Sequence, residues 1–258
     1  MKLSIAIVAC NEAANIRRTL ESVTWADEVV VVDSGSADET VAICREFGAK
    51  IFVEPWKGYG PQVNSAIDKC TSPWVFSLDA DEVIPPDLAA EIRELLAGQP
   101  KYRAYNVRRS NLVFGRWMRH GGLYPDPKLR LLQQGATRWR ENTEPHATPP
   151  WNEPIGILKA DLQHYQYPTI SAYIEHMDRY STASIPLVLR RGKTSRSLLA
   201  FLGSVALNPI ATFFYNYFFR LGFLDGREGL LFHLYHSGYV SWKFAKAWER
   251  DRQECGPS

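Results

Sequence analysis

The sequence predicts an α/β protein, a doubly wound and mostly parallel sheet followed by a helical C-terminal region. Three observations carry this. The first hundred residues alternate apolar strand-like runs with helix-period segments. Three of those runs stop at polar clusters, Asn11-Glu12, Asp33-Ser34-Gly35-Ser36 and Asp79-Ala80-Asp81. From Ile170 onward the periodicity is helical. With 258 residues, 45% apolar and 22% charged, the chain can bury one large core plus an appendage. The composition excludes a disordered chain, a collagen and a small disulfide scaffold.

Leu3 to Cys10 is the apolar run that a strand buried on both faces requires, and Ile16, Leu20 and Val23 follow at helical spacing. It runs straight into Asn11-Glu12 with no small-residue cleavage site, so it reads as a first strand and not as a signal peptide. Val29 to Val32 is a second strand; Asp38 then caps a helix bearing Val41, Cys44 and Phe47 that closes at Gly48. Ile51 to Val53 is a third. Past Gly58, Gly60 and Pro61, a helix with Val63, Ala66, Ile67 and Cys70 on one face leads to a fourth strand, Trp74 to Leu78. The helix after Pro85-Pro86-Asp87 buries Leu88, Ile92, Leu95 and Leu96. Residues 99–168 have weaker periodicity, with short strands expected at Ala104 to Val107 and Lys128 to Leu132 and a Pro-dense stretch from Pro145 to Pro154. Ile170, Tyr173, Ile174, Met177 and Tyr180 open the helical region, with breaks expected near Gly192, Pro209, Gly222 and Gly226. Two domains are expected, 1–168 catalytic and 169–258 helical. The four cysteines lack C-x-x-C spacing and three lie in apolar-periodic segments, which reads as reduced thiols in a reducing compartment.

In open α/β sheets, ligands bind beyond the carboxyl ends of the strands, where loops and helix N-termini converge. For Ser36 and Asp38 a turn or cap role is as good an account as ligand binding. Asp79 and Asp81 stand out: residues i and i+2 of an extended chain face the same side, and two carboxylates that close repel unless a cation or proton lies between them. Such a pair suits Mg²⁺ or Mn²⁺, which leave positions open for water and phosphate oxygens. Glu82 alternates to the other face. Competing motifs are absent: Gly58-Tyr59-Gly60-Pro61-Gln62-Val63 misses the third glycine of a dinucleotide loop, and there is no Walker loop, nucleophile elbow or zinc-spaced histidine pair.

Ile5 to Glu12, Glu28 to Thr40 and Trp74 to Glu82 together resemble glycosyltransferase family 2. Gly121-Gly122-Leu123-Tyr124-Pro125-Asp126, Lys128-Leu129-Arg130-Leu131 and His164-Tyr165 look like its bacterial lipopolysaccharide core β-1,4-glucosyltransferase branch, a likeness that returns in the tail at Arg220 to Gly226. The resemblance implies a GT-A fold, a divalent metal (Mg or Mn), a nucleotide-sugar donor and inversion at the anomeric carbon. It places Asn11 and Glu12 beside the nucleoside, Asp33 and Ser36 on base and ribose, and Gln62 and Asn64 along a uracil pocket. Asp79 would approach ribose and metal, Asp81 and His164 would hold the metal, and Lys128 and Arg130 would support the diphosphate. Relatives carry a His-Glu pair after the Lys-Leu-Arg strand; here Ala147 follows His146, so the base is assigned to Glu144, with Glu141 as alternative and His146 beside it. The implied reaction moves a hexose, from UDP-glucose or UDP-galactose, to a lipid-linked saccharide such as lipopolysaccharide inner core. The alternative is a non-catalytic relative that binds nucleotide sugar or glycolipid and lacks the base.

The 23 residues between Arg196 and Arg220 carry no charge, and 190–258 hold ten basic against five acidic side chains. Asn208, Pro209, Thr212 and Asn216 in the middle argue against a membrane span. A helix pair lying in the interface, with basic residues toward anionic headgroups, is the expectation. That reading predicts a cytoplasmic protein, peripheral on the inner membrane's cytoplasmic face; no nucleic-acid partner is expected.

Overall fold

The computed structural model describes residues 1–141, 148–191 and 197–255. Contacts divide the chain into two compact units, 1–110 with 125–165, and 111–124 with 166–258. Residues 111–124 thus belong with the C-terminal helices, so the division is not a single point in the chain.

The first unit opens with β1 (Leu3–Ala9), α1 (Ile16–Glu21), β2 (Glu28–Asp33), α2 (Thr40–Glu46), β3 (Lys50–Val53), α3 (Tyr59–Asp68) and β4 (Trp74–Asp79). β5 (Glu82–Val83), α4 (Pro86–Ala97), β6 (Ala104–Val113), β7 (Arg116–Met118), β8 (Asp126–Gln133) and β9 (Gly156–Tyr167) follow. Among the described residues the strand order is β3-β2-β1-β4-β8-β6-β9-β5, with β7 paired to β6. The β3-β2-β1-β4 part is parallel, as the β/α alternation requires. Beyond β4 the pairing of β8 with β4 and β6, and of β5 with β9, is antiparallel, so the sheet is mixed.

Alternate residues of the parallel strands feed two cores. Ile5, Ile7, Val31, Phe76 and Leu78 pack with Ile16 and Leu20 of α1, Ile43 of α2, and Leu88 and Ile92 of α4. Ala6, Val30, Val32 and Val75 pack with Ala66 and Ile67 of α3 on the other face. Each fully buried large aliphatic contributes roughly 1.5–3 kcal/mol, which is why these strands admit no polar alternation. The expected strand at 104–107 runs on to Val113. The long strand β9 lies in the stretch of weak periodicity, yet its alternation is present: Leu158, Leu162 and His164 are buried while Ile157 and Lys159 are exposed.

In the second unit, β6 ends in a hairpin with β7 over Phe114-Gly115, both at positive φ (52° and 83°), the two-residue turn whose twist suits a hairpin. α5 (Ile170–Ala183) is capped by Thr169, whose hydroxyl accepts the Ala172 N–H at 3.1 Å, and is followed by α6 (Ile185–Arg190). Among the described residues one helix, Leu198–Phe219, is long and apolar enough to cross a membrane. It consists of α7 (Leu198–Leu202), a π turn (Gly203–Leu207), α8 (Asn208–Phe214) and a second π turn (Tyr215–Phe219). The break expected near Pro209 does not occur: the preceding π turn shifts the bonding register where proline has no N–H to give. This helix lies antiparallel along α9 (Gly226–Cys255), with Phe201 on Trp248, the Ser241 hydroxyl donating to the Val205 carbonyl, and Tyr217 on His233. Its outer face is bare, with Leu199 82% and Phe219 79% exposed.

Candidate active site

The strand register brings the predicted residues of the first unit to one edge of the parallel sheet. Ala9 is level with Asp33, and Val8 with Asp79, so the segments beginning at Asn11, Asp33 and Asp79 leave adjacent strands at the same end. Asn11 adopts φ 56°, turning the chain sharply off β1. Its N–H donates to Ser36 Oγ and its Oδ1 accepts the Ala37 N–H, both at 2.8 Å. Ser36 Oγ in turn donates to Asp33 Oδ1 at 2.5 Å, while Asp33 Oδ2 accepts the Gly35 and Ser36 N–H groups. Both oxygens of the buried Asp33 carboxylate therefore shape this turn. Asp38 does likewise, accepting from Thr40 and from the Ala13 N–H. Burial pushes the Glu12 carboxyl above its ordinary value, against the Asn15 hydrogen bond, and Asp81, Asp38 and Asp79 add to the push.

Gln62 and Asn64 are engaged in holding loops. Gln62 Nε2 donates to Ser34 Oγ at 3.1 Å and its Oε1 accepts the Lys57 N–H at 3.2 Å. Both ends of the Asn64 amide bind the backbone of Trp139, at 2.8 and 2.9 Å. Expected along a uracil pocket, these two side chains are bonded to Ser34, Lys57 and Trp139.

At the end of β4 the charges interlock. Arg130 reaches both oxygens of Asp79 and also Glu82 Oε1 at 2.5 Å. Arg109 lies 3.3 Å from Glu82, 3.9 Å from Asp79 and 2.8 Å from Asp126, which also takes Lys128 at 3.0 Å. The Asp79 N–H donates to Glu82 Oε2 at 3.0 Å. Three carboxylates thus face three cations, with Glu82, Arg109 and Arg130 buried. Loss of solvation works against an ionised Asp79, but Arg130, backed by Arg109, outweighs it and holds that carboxyl well below its usual range. Asp81 is likewise lowered, burial being outweighed by His164, whose Nε2 stands 3.2 Å from Asp81 Oδ2. Arg109 had no sequence signal of its own beyond sharing the inward alternation of Tyr105 and Val107; an arginine there requires carboxylate partners.

Among the described residues no group of three or more His, Cys, Asp or Glu side chains is arranged to hold a metal ion. The expected set of Asp79, Asp81 and His164 does not form a cage, because Asp79 faces Arg130 and His164 faces Asp81. What remains is Asp81, 27% exposed, and the outer part of Asp79, 44% exposed. That donor set fits a hard cation which takes most of its ligands from water and phosphate, and does not fit a closed protein site. Lys128 and Arg130, expected on a diphosphate, have carboxylate partners. Of the expected bases, Glu141 is exposed in a turn. Glu144 and His146 lie outside the described residues.

Comparison with known proteins sets this edge in context. Residues 4–152 match the family model described as "Glycosyl transferase family 2". The chain belongs to glycosyltransferase family 2. Among curated relatives of this family 2 enzyme, an uncharacterized glycosyltransferase of Rickettsia bellii is 30% identical over all of this chain and 89% of its own length. The lipopolysaccharide core biosynthesis glycosyltransferase LpsC of Rhizobium meliloti is 27% identical over all of this chain and 96% of its own. Among solved structures, S. aureus TarS (residues 1–349) in complex with UDP is 17% identical, with TM-score 0.48, covering 98% of this chain and 92% of that one.

Proposed function

We propose that this glycosyltransferase is an inverting, metal-dependent hexosyltransferase that takes its sugar from a uridine nucleotide, UDP-glucose or UDP-galactose, and gives it to a lipid-linked saccharide. The observation that carries the donor half is the shared sheet edge, where the Asn11 and Asp33 turns meet the Asp79–Asp81 segment. The turn groups of Asn11, Asp33 and Ser36 are braced by one another, so they present a preformed rest for a base and ribose. Asp81 and the outer part of Asp79 would hold Mg²⁺ or Mn²⁺. When bound, such an ion stabilises the charge that develops on a departing nucleoside diphosphate. The chain's own part is to keep both carboxylates ionised and aimed, through Arg130 and Arg109 behind Asp79 and His164 behind Asp81. Glu144, with Glu141 as alternative, is the proposed base, with His146 beside it.

The acceptor half rests on the helical unit and on the name of LpsC, a lipopolysaccharide core enzyme 27% identical to this chain. The bare apolar face of Leu198–Phe219 suits a membrane surface. Because this helix is bound along its length to the charged α9, it cannot cross a bilayer without dragging those charges into hydrocarbon; lying in the plane of the interface avoids that cost. We therefore place the protein on the cytoplasmic leaflet, where nucleotide sugars and lipid-linked acceptors meet.

The test is nucleoside diphosphate release from UDP-, GDP- and ADP-sugars with Mg²⁺ or Mn²⁺, with and without extracted core lipid, in wild type and Asp81→Ala. Release that requires metal and acceptor and vanishes in the variant supports the proposal. Tight nucleotide binding without release in the presence of the extract overturns it.

A further inference from the structure

Two sequence signatures that the donor edge leaves unused, His120-Gly121-Gly122 and Arg220 to Gly226, come together inside the second unit. The Gly121 N–H donates to the Arg220 carbonyl at 2.8 Å. Gly122 has φ +85°, and a Cβ on it would stand 2.2 Å from Arg220 Nη1, so the missing side chain is what seats the guanidinium. Asp225, almost wholly buried, accepts the N–H groups of Arg119 and His120 at 3.1 and 2.8 Å and faces His120 Nδ1 at 3.0 Å. A carboxylate only accepts, so His120 Nδ1 carries a proton, and Nε2 is the ring nitrogen turned away from Asp225. Gly121 and Gly222 both close on the buried His233 ring, which locks the turn from behind.

Arg220 itself is exposed, and among the described residues no carboxylate lies within ion-pairing distance of it. By contrast, Arg116 in the same unit has Glu228 at 3.7 Å. Arg220 also directly follows the bare apolar helix Leu198–Phe219, so a lipid surface meeting that helix would have its headgroups within reach of Arg220. An exposed guanidinium with no carboxylate partner among the described residues, seated by a glycine of the turn that also carries His120, matches a phosphate ester, with the imidazole of that turn able to meet a neighbouring hydroxyl.

We propose that Arg220, with His120 and the Gly121-Gly122 turn, forms a recognition site for a phosphate ester bearing a neighbouring hydroxyl, presented at a lipid surface. Two lipids carry that chemistry, the phosphoglycerol headgroup and a phosphorylated sugar of the acceptor glycolipid. The inference rests on the lipid-linked acceptor reading above, but its test needs no turnover.

Partition of the full chain is measured, without donor, onto vesicles of phosphatidylcholine alone, of phosphatidylcholine with phosphatidylglycerol, and of phosphatidylcholine with extracted core glycolipid before and after phosphatase treatment. Wild type is compared with Arg220→Gln, Arg220→Lys and Arg227→Gln, the last removing the same charge from the start of α9, and thermal unfolding confirms that each variant folds. Arg220→Gln is expected to bind a phosphate-bearing vesicle roughly tenfold more weakly, the loss of a charge-assisted contact, with Arg220→Lys between and Arg227→Gln near wild type. A loss confined to phosphatidylglycerol assigns the headgroup; a loss confined to glycolipid and erased by phosphatase assigns the acceptor. Equal losses in Arg220→Gln and Arg227→Gln, or none in either, overturn the site. If no sugar is transferred but partition depends on Arg220, the transferase assignment fails and the site stands. If transfer proceeds and Arg220→Gln partitions like wild type, the reverse holds.

Discussion

Replacing Arg130 by methionine tests the charge cluster at the end of β4. The side chain is nearly isosteric along its stem but removes the guanidinium from both oxygens of Asp79 and from Glu82. Glu82 is fully buried and keeps Arg109 at 3.3 Å and the Asp79 N–H; three carboxylates then face two cations. Breaking a buried pair from one side costs about 3–5 kcal/mol, and since Asp79 can hydrate through its exposed part, the lower end, about 3 kcal/mol, is expected. With a urea slope of roughly 1–3 kcal/mol/M the midpoint falls by at least about 1 M. The sign with pH follows from Asp79, whose folded pKa is depressed. Its stabilisation is full above the unfolded value of about 4 and fades as pH falls below it, so the gap between wild type and variant narrows from pH 7 toward pH 3. Glu82→Gln combined with Arg130→Met is expected to lose less than Arg130→Met alone. Urea unfolding followed by far-UV circular dichroism reads all of these. A variant within 1 kcal/mol of wild type at pH 7, or a gap independent of pH, refutes the reasoning.

Glu28 gives a second acid-sensitive contact: burial opposes its charge, but Lys50, the Ser4 hydroxyl and Thr71 hold its pKa down at about 2. Glu28→Gln is expected to cost about 2 kcal/mol at pH 7, after discounting for screening, and far less at pH 2, measured by urea midpoints at both. At Gly156 a Cβ would lie 2.2 Å from the Tyr105 ring, so Gly156→Ala should lower stability by about 1–3 kcal/mol, and Gly156→Ala with Tyr105→Leu should recover part of it in the same assay. On the apolar helix, Phe214→Asp and Phe219→Asp should change the unfolding midpoint little, since both side chains are exposed, while lowering flotation with phosphatidylglycerol vesicles several-fold. Flotation equal to wild type would remove the basis for interfacial docking.

Residue order alone determined the parallel half of the sheet, because a strand buried on both faces has to be apolar throughout, and the helices between, because their apolar positions recur at helical spacing. It also determined that Asn11, Asp33 and Asp79 end such strands. It did not show β9, whose alternation of Leu158, Leu162 and His164 against Ile157 and Lys159 is plain only once it is paired, nor that Pro209 would sit inside a continuous helix. Above all, periodicity reports which side chains are buried and not whom they meet. That Asp79 faces Arg130, 51 residues on, that both ends of the Asn64 amide are spent on Trp139, 75 residues away, and that Asp225 fixes His120 across 105 residues are facts of tertiary structure. The physical reason is that a buried charge or amide must be satisfied, and the chain has many donors and acceptors able to do it; only the packed fold selects among them.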